Sequence, residues 1–65
     1  MNDCKIEVWV EGQLFGVVAY VGVQVRVSRQ LSLYATFEEG DVANFIIRQL
    51  KPNYPRTYTF KTVGV

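Results

Sequence analysis

The chain has 65 residues, 49% of them apolar and 20% charged, with a net charge of +1. That composition describes one globular domain, and a domain this small buries only about 60% of the surface its unfolded chain exposes, so it leans on a staple or a partner. One cysteine and no histidine exclude an intrachain disulfide, a four-ligand zinc site of the usual kind and a Ser–His nucleophile, which leaves association as the remaining device.

No apolar run approaches the roughly 18 residues of a membrane helix. The opening Met-Asn-Asp-Cys-Lys lacks the basic and apolar regions of a secretory signal. A single unpaired cysteine, Cys4, reads as a reducing compartment. The expected setting is cytoplasmic, or virion-associated if the chain is viral.

The first element is a strand over residues 5–11, where Ile6, Val8 and Val10 alternate with Lys5, Glu7, Trp9 and Glu11 in the period-two pattern of a half-buried strand. Glu11-Gly12-Gln13-Leu14 then reads as a type II′ hairpin turn with Gly12 at its first central position. That turn predicts the pairs Val10/Phe15, Val8/Val17 and Ile6/Ala19, all apolar and all on one face.

In the stretch Phe15–Val27 every odd position is apolar. A two-residue turn inside it would switch the inner parity, and no switch is visible. The pattern therefore predicts one long strand from Leu14 to Val27, bent or bulged at Gly16 and Gly22. Arg29 breaks the alternation, which resumes at Leu31, Leu33 and Ala35. A three-residue connection, Ser28-Arg29-Gln30, would pair that segment back onto the long strand.

Thr36-Phe37-Glu38-Glu39 fits a capping box, and Asp41 is the alternative cap because Gly40 weakens the first turn. The helix then runs to Lys51, with Val42, Ala43, Phe45, Ile46, Ile47 and Leu50 as its apolar stripe and Asn44, Arg48 and Lys51 opposite. Pro52 and Pro55 end it. The last strand covers residues 56–63, with Tyr58 and Phe60 inward and Thr57, Thr59 and Lys61 outward.

The expected fold is α+β: a small antiparallel sheet of about four strands, order ββ(β)αβ, with one helix packed on one face, in a single domain spanning 1–65. A helix from Phe37 to Lys51 is about 22 Å long, whereas a strand from Leu14 to Val27 is about 46 Å. One such helix cannot cover that face. Either the strand bends sharply at Gly22 and wraps the helix, or a second molecule covers the remainder, a second copy being the simplest.

Two surfaces invite a functional reading. The predicted register puts Trp9, Leu14, Val18 and Tyr20 together on the outer face as an apolar patch rimmed by charges, the composition of a protein-binding hot spot. The plainer account is that the last strand or the loop at 53–55 folds over Trp9. The other surface is residues 51–61, where Lys51, Arg56 and Lys61 are interleaved with Tyr54, Tyr58 and Phe60. Lys51, Tyr54, Arg56 and Lys61 would be its nucleic-acid contacts, bases stacking and phosphates pairing. The plainer account there is a loop and strand whose aromatics are core. Charge is uneven along the chain, net −2 over residues 1–23 and net +3 over residues 24–65.

Glu38, Glu39 and Asp41 read as helix-terminus charge. Cys4 lacks the surroundings of a reactive thiol, and no Gly-rich phosphate loop is present. No enzyme activity, cofactor, metal or small-molecule substrate is expected. The expected role is a small non-catalytic protein-binding module, acting as a homo-oligomer or docked on a larger protein assembly; the alternative is a small nucleic-acid-binding protein using 51–61. Compact, cofactor-free chains of this size are frequent among phage and mobile-element products, as inhibitors of a host protein or minor structural subunits, an analogy from size and composition alone.

Overall fold

The computed structural model describes residues 3–65. It has four strands, β1 (Cys4–Val10), β2 (Gln13–Val21), β3 (Gln24–Ser28) and β4 (Tyr58–Gly64), and one α-helix, α1 (Gly40–Leu50). The strands form a single antiparallel sheet in the order β3-β2-β1-β4, so the small α+β sheet-and-helix architecture expected from the pattern is the one observed.

The details differ at four places, each for a definable reason. The β1–β2 turn is centred on Glu11-Gly12, not Gly12-Gln13. Both residues have positive φ, 52° and 78°, as a type I′ turn requires, and Val10 pairs with Gln13. A bulge follows at once. The register shifts between Val8 and Trp9, so that Trp9 faces Leu14 while Val8 faces Gly16, with Phe15 as the extra residue. The predicted pairs Val10/Phe15, Val8/Val17 and Ile6/Ala19 are therefore not formed.

The long strand is in fact two. Gly22, at φ 65°, opens a two-residue turn with Val23, and β3 returns along β2 with Val21↔Gln24, Tyr20↔Val25 and Val18↔Val27 paired. The third strand is thus Gln24–Ser28, and not the Leu31–Ala35 segment, where Leu31–Leu33 forms a 3-10 turn instead. That turn leads into a wedge. The β1–β2 ladder stops at Glu7↔Val17, and the chain at 35–37 fills the opening beyond it: Ala35 N–H donates to Val18 O at 2.9 Å, and Cys4 and Phe37 exchange both backbone bonds at 2.8 Å.

The helix begins later than Phe37, which is committed to Cys4. Its N-cap is Glu39, in extended conformation and with no side-chain cap bond, so neither the capping box nor an Asp41 cap is formed. Asp41 sits in the first turn and Arg48 in the last, each favourable to the helix dipole. Eleven residues give a helix about 16 Å long. Pro52, which has no N–H to donate, falls in the 3-10 turn Lys51–Asn53 that ends it.

Ala43, Ile47 and Leu50 of α1 pack with Cys4, Ile6, Val8, Val18, Ala35 and Phe37 into one core cluster. Full burial of residues such as Ile6, Val8 and Val18 contributes about 1.5–3 kcal/mol each before entropic costs. The helix lies against β1 and β4, one half of the sheet.

Candidate functional site

The register divides the predicted outer patch between the two faces. Trp9 and Leu14 face each other on the outer side. Val18 and Tyr20 are turned to the helix side, Val18 pairing with Val27 and Tyr20 with Val25. Val18 is fully buried in the core, at 0% exposure, whereas Tyr20 is 58% exposed with its ring 6.4 Å from that of Phe37. The four residues do not share one surface, because the bulge at Phe15 turns the remainder of β2 over.

Trp9 is half-buried on the outer face. Its Nε1 donates to Glu7 Oε1 at 3.0 Å, and Lys61 Nζ lies 4.5 Å from its ring centroid. Glu7 and Lys61 are themselves opposite one another on the β1–β4 ladder, an opposite-charge pair of the kind that stabilises a sheet face. The last strand thus does cover Trp9, through a lysine rather than through an apolar side chain. Val17 and Ala19 share this outer face, yet are only 1% and 3% exposed. Val17 stands between Glu7 and Ser28, and Ala19 beside Arg26; longer neighbours screen small side chains on an inner strand.

The basic and aromatic residues of 51–61 separate in the same way. Tyr54, Tyr58 and Phe60 pack against the core cluster. Tyr54 stacks on Tyr58 at 5.6 Å, and Tyr58 meets Phe15 at 5.1 Å. Lys61 is on the opposite face of β4, over Trp9, while Lys51 and Arg56 are exposed. Tyr58 and Phe60 therefore point inward and Lys61 outward, as the alternation predicts. Lys51, Tyr54, Arg56 and Lys61 do not form the interleaved basic and aromatic surface that base stacking needs.

Tyr54 has a further part that the sequence pattern does not signal. Its hydroxyl accepts the backbone N–H of Val27 at 3.1 Å. On β3, residues 24, 26 and 28 face β2 with their backbone groups, and Val25 and Val27 turn theirs outward. Tyr54 thus ties the free edge of β3 to the aromatic group on β4, spanning the two outermost strands.

Exposed apolar side chains lie on the helix side, the face that one helix is expected to leave partly uncovered. α1 covers β1 and β4, and the β2–β3 part of the same face is covered only in part: Val18 is buried and Val25 and Val27 are half-buried against the core, whereas Tyr20 is exposed. A groove there runs between Val25 and Arg26 on one side and Ile46, Gln49 and Tyr54 on the other. Phe45 is 58% exposed and Val42 44%, so the apolar stripe of α1 continues past its buried line out to solvent. Val23, at the tip of the β2–β3 turn, is 98% exposed.

Among the described residues no helix is long and apolar enough to cross a membrane, and no group of three or more His, Cys, Asp or Glu side chains is placed to hold a metal ion. Comparison with protein-family models, with curated proteins and with solved structures gave no match.

Proposed function

We propose that this chain is a small non-catalytic protein-binding module, working as a homo-oligomer or docked on a larger protein. The observation that carries the reading is the half-covered sheet. One 11-residue helix packs on β1 and β4, while Tyr20 on the sheet and Val42 and Phe45 on the helix remain exposed. In a domain this small, leaving large apolar side chains in water forgoes stabilisation it can ill spare, and aromatic side chains left exposed in this way are the material of interaction sites. The lone cysteine, buried at Cys4 and unpaired, suits a reducing, cytoplasmic setting.

Light scattering across a concentration series tests this reading, with Phe45→Glu as the variant. The native chain is expected to associate, or to bind an apolar dye when alone. Phe45→Glu, changing a solvent-facing position, should keep the circular dichroism spectrum and lose the association. A native chain that stays a 7.4 kDa monomer at high concentration and binds no dye would overturn the proposal.

A further inference from the structure

β4 is an outer strand of the sheet, and the hydrogen-bond phase of its ladder with β1 tells which backbone groups face outward. Val65 N–H donates to Asp3 O at 3.0 Å, one step past the Cys4↔Gly64 pair, and Cys4 directs its own N–H and C=O away from β4, to Phe37. Since hydrogen-bonded and non-bonded pairs alternate, the bonded pairs are Lys5↔Val63, Glu7↔Lys61 and Trp9↔Thr59. The backbone groups of Tyr58, Phe60 and Thr62 therefore point away from the sheet. Tyr58 N–H is taken by Pro55 O at 3.0 Å; among the described residues, none takes the N–H or C=O of Phe60 or Thr62. The strand pairs with β1 over all seven residues without a bulge and contains no proline. An edge of this kind is a template for an added strand.

Charge says which strand it suits. The groove-side flank of α1 is Ile46 and Gln49, and its buried line is Ala43, Ile47 and Leu50. At about 100° per residue, Asn44 and Arg48 stand on the other flank, the side of β4's free edge, and Lys51 continues that line; all three are exposed. Arg56, also exposed, lies in the turn just before β4. The acidic residues Glu38, Glu39 and Asp41 lie at the opposite end of α1, next to the Cys4–Phe37 bridge. The helix side of the edge is thus basic toward Tyr58, whereas Lys61 is held on the outer side over Trp9.

We infer that the free edge of β4 takes an extended acidic segment of a partner protein as a fifth strand. Its backbone pairs with Phe60 and Thr62, and carboxylates at alternate positions meet Arg48, Lys51 and Arg56. Opposite charge across the contact favours this occupant. The inference rests on the binding-module reading but uses a surface apart from Phe45 and the open groove.

The test is a titration of the isotope-labelled chain with an eight-residue peptide alternating glutamate and threonine, beside a matched lysine–threonine peptide, read by amide chemical shift and hydrogen exchange. The acidic peptide is expected to protect the Phe60 and Thr62 amides. Its affinity should fall about tenfold or more in the Arg48→Glu, Lys51→Glu double variant. Thr62→Pro should abolish binding while keeping the fold, because the Thr62 N–H is not used by β1 and an outward-facing edge position tolerates proline. Equal binding of the lysine peptide, shifts confined to the groove, or Phe60 and Thr62 amides already protected in a self-paired dimer would each overturn the inference. Failure here with the Phe45→Glu result intact would leave the binding-module proposal standing.

Discussion

Gly16 shows how a single hydrogen atom can be required by packing. A Cβ built at Gly16 would overlap the backbone carbonyl oxygen of Ser28, which the chain cannot move without parting β2 from β3. Gly16→Ala should therefore cost about 1–3 kcal/mol, the usual range for overpacking, seen as a lowered midpoint in urea. Gly22 differs in kind: space around it is open, with no heavy atom within 4 Å of a Cβ, and its constraint is φ +65°, where an L residue is strained. Glu11 occupies the same left-handed region at φ 52°. Asn at the first position of a type I′ turn is strongly preferred, so Glu11→Asn should raise stability by a few tenths to about 1 kcal/mol. An unchanged midpoint would mean the turn is not formed as described.

Periodicity makes β1, β4 and the buried line of α1 legible, but not the division between β2 and β3. The alternation Ile6, Val8, Val10 gives β1 and its inner face, and Tyr58 and Phe60 against Thr59 and Lys61 give β4, since both strands pair without interruption on the ladder they share. In β2 and β3 the same reasoning meets two events of opposite effect. The bulge at Phe15 moves the inner face from odd to even positions, and the turn at Gly22-Val23 moves it back. Phe15, Val25 and Val27 then all pack on the core, as an unbroken strand would have them, although Val18 and Tyr20 share their face in between. Parity cannot report a pair of switches that cancel. The expected patch divides for the same reason: Trp9 and Leu14 lie on the outer face, Val18 and Tyr20 on the helix side. The wedge at 35–37 had no local signal either, because its hydrogen bonds go to Cys4 and Val18, far away in sequence.

At the scale of the molecule, the sheet is held by its aromatic group as well as its ladders. Tyr54 stacks on Tyr58 and takes the Val27 N–H, linking strands that are not neighbours. Tyr54→Phe keeps the ring and removes only that link. It should cost about 1–2 kcal/mol, the penalty of an unpaired and partly buried N–H, and should speed exchange of the Val27 amide more than that of Val18. Equal rates at Val27 in both proteins would show that the hydroxyl does not hold the edge. The bulge has its own consequence for how the chain tolerates changes of length. β2 carries one residue more than β1 opposes, so it holds slack in one direction. Removing a residue between Leu14 and Ala19 lets the bulge straighten and the rest of the sheet keep its pairing, at the cost of the side chain removed. Adding one has no such outlet: it must lengthen a turn, open a second bulge, or turn the apolar side of the β2–β3 hairpin to water.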